Sequence, residues 1–131
     1  MKFIFRSRCV IDIRVFMRAA VVGIVLQIAL MIAVHFVAFV ERQGFLLGGM
    51  TISAVAGYLY AMDTGKGYFT GATIGAILGG GAALVGVGVS VWLHDAPPHV
   101  VPLFTTICVV TGAIGGLFGQ MSANLKKMGR R

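Results

Sequence analysis

Four long apolar runs separated by short polar breaks dominate this chain. Between Ala19 and Leu125 only five residues carry a formal charge, in three places: Glu41 with Arg42, Asp63 with Lys66, and Asp95 alone. The runs between them cover residues 19–40, 45–62, 68–93 and 100–121. A helix needs about 20 residues to cross a hydrocarbon core of about 30 Å. The second run is at the short end of that requirement, and the third is long enough to tilt or project. An open four-stranded sheet would leave unsatisfied backbone groups in lipid. The runs also lack the in–out alternation of a membrane barrel. The pattern therefore predicts an all-α integral membrane protein: a single four-transmembrane-helix domain over residues 1–131.

The breaks are short, and short connections make antiparallel neighbours, so the expected architecture is an up-down-up-down bundle. The middle break reads Asp-Thr-Gly-Lys-Gly, a turn composition. Pro97 and Pro98 stop helix continuation in the last break. Pro102 suits the first turn of the fourth helix, where a missing N–H costs nothing.

Composition and charge sharpen the class. The chain is 58% hydrophobic and 11% charged, whereas an average soluble domain is about 25% charged. The net charge of +7 would suit nucleic acid if it were spread over a soluble surface. Instead Lys2, Arg6, Arg8, Arg14 and Arg18 precede the first run, and Lys126, Lys127, Arg130 and Arg131 follow the last. This placement points to a lipid bilayer and not to nucleic acid. With Lys66, the side holding both termini carries ten basic residues, and the other carries only Arg42. The asymmetry predicts cytoplasmic N- and C-termini in a cell inner membrane.

Residues 1–17 form a basic amphipathic segment with three readings: an interfacial helix, an extension of the first helix, or residues upstream of a self-sufficient start at Met17-Arg18. The orientation survives removal of residues 1–16, with six basic residues against one. A cleaved signal peptide fits poorly, because the first run exceeds an h-region of about 7–15 residues. Cys9 and Cys108 belong at different depths and are not expected to pair.

Glycine is the most patterned residue. There are 19, about twice the average frequency of roughly 7%. Gly71, Gly75 and Gly79 recur every fourth position and continue to Ala83; Gly49, Ser53 and Gly57 do the same and continue to Ala61. Cys108, Gly112 and Gly116 form a third row, with Gly115 and Gly119 beside it. Residues four apart share a helix face. Small residues there allow close backbone approach, which replaces the hydrophobic effect that lipid cannot supply. These rows predict tight helix packing, either within the chain or in a homo-oligomer or with a partner membrane protein. The serine hydroxyl adds a possible hydrogen bond across such a contact.

Polar groups inside a span are where membrane proteins usually keep their function. Two candidates lie in the first run, Gln27 and His35, on one face with Met31. The expected role is an interhelical hydrogen bond, with Thr105, Thr106 and Thr111 as partners; the sharper reading is a polar spot on a substrate or proton path. His94, Asp95 and His99 have metal-capable side chains, but two prolines between them make shared ligation awkward. Gly65-Lys66-Gly67 does not have phosphate-loop spacing. With only four carboxylate side chains and no nucleophile–base arrangement, no enzymatic activity and no cofactor are expected.

Three families offer a partial likeness without membership. Small multidrug exporters share the size and span count but use a membrane-embedded glutamate in the first helix, whereas Glu41 lies at the outer end of this one. Small fluoride channels are similar in helix number and glycine content, but their polar pore residues have no evident counterpart here. Phage holins are similar in their basic C-terminus, matched here by Lys126 to Arg131. The sequence thus predicts a non-enzymatic structural, assembly or accessory component. A small transporter or channel subunit is the alternative, and a holin-like pore former stands third.

Overall fold

The computed structural model describes residues 11–37 and 43–130. Four helices follow in order: α1 (Ile13–Phe36), α2 (Gln43–Thr64), α3 (Tyr68–Trp92) and α4 (Val100–Met128). Each is long and apolar enough to cross a membrane. The chain is all-helical among the described residues, with the make-up of a small multi-pass membrane protein. The expectations for residues 1–10 with Cys9 and for the Glu41–Arg42 break lie outside the described residues.

α1 and α4 differ most in extent from the apolar runs. α1 begins at Ile13, six residues before the first run, because Val15 and Phe16 have a core to join. Phe16 meets Tyr60 edge-on, with ring centroids 6.3 Å apart. Residues 13–18 thus extend the first helix. At its other end α1 stops at Phe36, where the Val37 N–H bonds the Ala33 carbonyl. α4 continues seven residues beyond the fourth run, to Met128. Nothing breaks it before Gly129, and Lys126 and Lys127 in its last turn complement the negative end of the helix dipole.

α3 is the central element. In its most apolar stretch 56% of residues are buried, against 33% for α2 and 28% for α1 and α4. α4 and α2 pack extensively on α3 and on each other, while α1 rests mainly on α2 and α3. Two core clusters result. One gathers Ala19, Ala56, Tyr60, Ile74 and Leu78; the other gathers Met31, Ala83, Val87, Phe104 and Cys108. Tyr60 and Phe104 are fully buried in these clusters. Phe104 has Phe45 to pack on, 4.6 Å away between centroids. Phe36, Tyr68, Phe69 and Trp92 are exposed at the helix ends, as an aromatic belt requires.

The helices approach at backbone distance. A Cβ added at Gly71 would lie 2.8 Å from the Gly116 carbonyl oxygen, and one at Gly79 would lie 2.5 Å from that of Cys108. Between them, a Cβ at Gly75 would strike the Gly112 carbonyl, and one at Gly112 would strike the Gly75 carbonyl. As numbering rises along α3 it falls along α4. Gly115 and Gly119 turn another face to α2, where a Cβ would meet the carbonyls of Ala54 and Tyr58. Gly57 sits where α2, α3 and α4 converge, against Gly112 and Gly75.

Two turns need a left-handed backbone. Gly65, at φ 56°, supplies one after α2 without steric cost. The other falls on His94, at φ 65°. There the His94 N–H bonds the Val91 carbonyl and the Asp95 N–H bonds the Ser90 carbonyl, closing α3 as a Schellman motif with histidine in the usual glycine position.

The collisions at Gly112 are with backbone, which cannot rotate away. Gly112→Ala is therefore expected to destabilise the protein by about 1–3 kcal/mol. Gly81 has nothing within 4 Å of an added Cβ, so Gly81→Ala should be neutral or stabilising by up to about 1 kcal/mol. Thermal midpoints of the two variants in detergent micelles check both expectations.

Candidate functional site

α1 buries Ala19, Gly23, Gln27 and Met31, one residue in four along a single face. Gln27 is the polar member of that stripe and is fully buried. Its side chain enters a slot cleared by two glycines. A Cβ on Gly86 of α3 would strike the Gln27 side chain, and one on Gly49 of α2 would lie 3.2 Å from its Nε2. Phe104 of α4 closes in on Gly49 as well. Neither Oε1 nor Nε2 of Gln27 has a hydrogen-bond partner. An unsatisfied buried polar group costs about 1–3 kcal/mol, so the slot is a destabilising point in the bundle.

The expected threonine partners are engaged elsewhere or unpaired. The Thr106 hydroxyl donates to the Pro102 carbonyl at 2.7 Å, and the Thr111 hydroxyl donates to the Ile107 carbonyl at 3.1 Å. Both reach one turn back along their own helix, the favoured partner for a threonine in a helix interior. Thr105 Oγ1 is buried without a partner, as is the Tyr60 hydroxyl.

His35 does not share the setting of Gln27. Because α1 starts early and ends at Phe36, His35 lies in its last turn and is 39% exposed. Its Nδ1 is 2.7 Å from Asp95 Oδ2, and the carboxylate accepts. This contact ties the end of α1 to the α3–α4 connection. Among the described residues, no three His, Cys, Asp or Glu side chains gather as a metal ion would need.

The small-residue rows divide by task. Gly71, Gly75 and Gly79 face Gly116, Gly112 and the Cys108 backbone. Gly57 lies at the three-helix convergence, whereas Gly49 makes room for the Phe104 and Gln27 side chains. Ser53 is fully buried, and its hydroxyl donates to the Gly79 carbonyl at 3.3 Å, crossing from α2 to α3. Cys108 is a free, buried thiol.

A polar network fastens the opposite end of the bundle from His35. Gln120 is buried; its Oε1 accepts the Gly67 N–H at 3.0 Å and its Nε2 donates to Asn124 Oδ1 at 2.9 Å. Asn124 Nδ2 donates to the Tyr68 hydroxyl at 3.3 Å, and the Tyr58 hydroxyl donates to Ser122 Oγ at 3.2 Å. Lys127 Nζ donates to the Gly65 carbonyl at 3.3 Å. Sequence reasoning centred on mid-span positions passes over Gln120, whose partner is a backbone amide freed by the turn at Gly67. It also passes over Gly86, which is off the four-residue row. The available clue was Gln27 itself, since a polar side chain on a buried face needs a missing side chain opposite.

The arrangement joins helices through backbone contact and end-fastening hydrogen bonds, with one unsatisfied amide at its centre. Gln27→Met keeps the length and removes both orphan polar atoms. It is expected to raise the thermal midpoint by the equivalent of about 1–2 kcal/mol. A lower midpoint in chemical or thermal unfolding would show that the amide has a partner in the membrane.

Comparison with protein-family models, curated proteins and solved structures finds no match to this chain.

Proposed function

We propose that this chain is a non-enzymatic inner-membrane component with a structural, assembly or accessory role. It is an up-down-up-down bundle held by glycine-mediated packing, with both termini in the cytoplasm. One observation carries the reading: among the described residues no Asp, Glu, Lys, Arg or His is buried, and the buried polar side chains include Gln27, Ser53, Ser90 and Gln120. Two of the four, Ser53 and Gln120, hydrogen-bond to backbone of neighbouring segments and so serve helix association. Proton or ion translocation generally relies on ionisable groups facing the bundle interior.

The orientation is supported by charge. All six described Lys and Arg residues (Arg14, Arg18, Lys66, Lys126, Lys127 and Arg130) lie in α1's first turns, the α2–α3 connection or the end of α4. The histidines and Asp95 gather at α1's last turn and the α3–α4 connection. A surface for a partner or a second copy remains on α3, where Gly81 and Gly88 have open space around them and Ile77 and Leu84 are exposed.

A second reading, a small transporter or channel subunit, draws on the orphan amide of Gln27. It requires flux in liposomes that is lost in Gln27→Leu.

Cysteine labelling with a membrane-impermeant reagent is expected to modify Ala96→Cys from the outside and an added C-terminal cysteine only after the membrane is opened. The reverse result removes the orientation. Mild-detergent affinity purification with mass analysis is expected to recover a stoichiometric membrane partner or a homo-oligomer. Gly81→Leu and Gly88→Leu should reduce that recovery at least fivefold while leaving the thermal midpoint in place. A clean monomer would remove the assembly role.

A further inference from the structure

We propose that the groove between the end of α2 and the last turn of α4 binds the headgroup of an anionic phospholipid. The inference rests on the membrane embedding of the chain and not on the assembly role. The groove encloses about 210 Å³, and its walls include Asp63, Gly65, Lys126, Lys127 and Arg130. Three cations and a single carboxylate leave it net positive. Lys127 is held in place by its bond to the Gly65 carbonyl, and an ammonium has three donors, so two remain for a ligand. Arg130 brings a planar guanidinium, which matches phosphate oxygens in pairs.

The surroundings select a lipid over a soluble phosphate. The groove lies at the ends of α2 and α4, two helices long and apolar enough to cross a membrane, and Met62 adds a half-buried apolar side chain to its lining. In a bilayer such side chains are covered by acyl chains. A phospholipid lying along this part of α4 brings its phosphate to the level of Lys126 and Arg130 without leaving the leaflet. Charge complementarity then chooses among lipids, because a zwitterionic headgroup adds a cation that the groove already has in excess. Asp63 opposes any anion and tunes the site downward.

The test uses the full-length protein in neutral detergent, with native mass spectrometry of lipid retention. Phosphatidylglycerol is compared with phosphatidylcholine of equal chain length. Phosphatidylglycerol should be retained at collision energies that strip phosphatidylcholine. Each basic residue near an anionic surface contributes about fivefold in affinity. Lys126→Gln with Arg130→Gln should therefore weaken retention roughly 25-fold, and Asp63→Asn should strengthen it about fivefold. The exchange Lys126→Arg with Arg130→Lys keeps the charge and should preserve retention, which separates loss of the site from loss of the fold. Arg14→Gln with Arg18→Gln removes equal charge from α1, where neither residue lines the groove and only Arg18 borders Asp63, and should weaken retention no more than about fivefold. Equal weakening by that pair would overturn the proposal in favour of diffuse attraction. Displacement of the lipid by millimolar glycerol phosphate would assign the groove to a soluble phosphate instead. Equal retention of the two lipids would remove the site altogether.

Discussion

Three glycines on three helices, Gly57, Gly75 and Gly112, converge at a point that has no room for a single added carbon. Much else in the bundle depends on that approach. Lipid tails are as apolar as leucine, so burying apolar side chains does not drive helices together as it does in water. Association has to come from van der Waals contact at short range and from polar groups that find partners across helices. Removing Cβ at the crossing brings backbone against backbone, and the contact runs from Gly71 to Gly79 along α3. Phe104 and Tyr60 then fill the widening space toward the ends, each at the heart of one core cluster.

The two ends are closed by different chemistry. At one end Gln120 captures a turn amide and Lys127 a turn carbonyl. At the other a histidine meets an aspartate beside a strained turn at His94. These contacts lie where water and headgroups are present, so polar side chains can be desolvated in part and still find partners. The bundle's centre allows no such compromise, and the unpaired amide of Gln27 is therefore its anomaly. A residue that costs stability in the middle of a well-packed slot is the first place to look for a role beyond packing.

The four spans were legible because lipid leaves one solution for a long apolar run, and charge marks where each run stops. The small-residue rows were legible because helical spacing is visible in a sequence. Rotational phase between helices was not. Gly75 and Gly81 are both glycines in the same helix, yet one abuts a carbonyl and the other faces open space. Only the position of α4 distinguishes them. The start of α1 stayed open among three readings for a related reason: extension of the first helix depends on Phe16, between Arg14 and Arg18, having Tyr60 to pack on. His35 looked embedded until the helix proved to end one residue later.

The peripheral seat of α1 bears on how the protein is made. Its contacts are mainly with α2 and α3, which follow it out of the ribosome, so these packing partners are absent when it emerges. Of the four it is the most apolar, with a mean hydropathy of 2.4, while α2 is the least at 1.5. A helix that emerges before its packing partners has to be soluble in lipid by itself, whereas one that emerges beside a neighbour can carry the glycines and serine that hold the later helices. The contrast in apolar character between α1 and α2 fits that order of emergence.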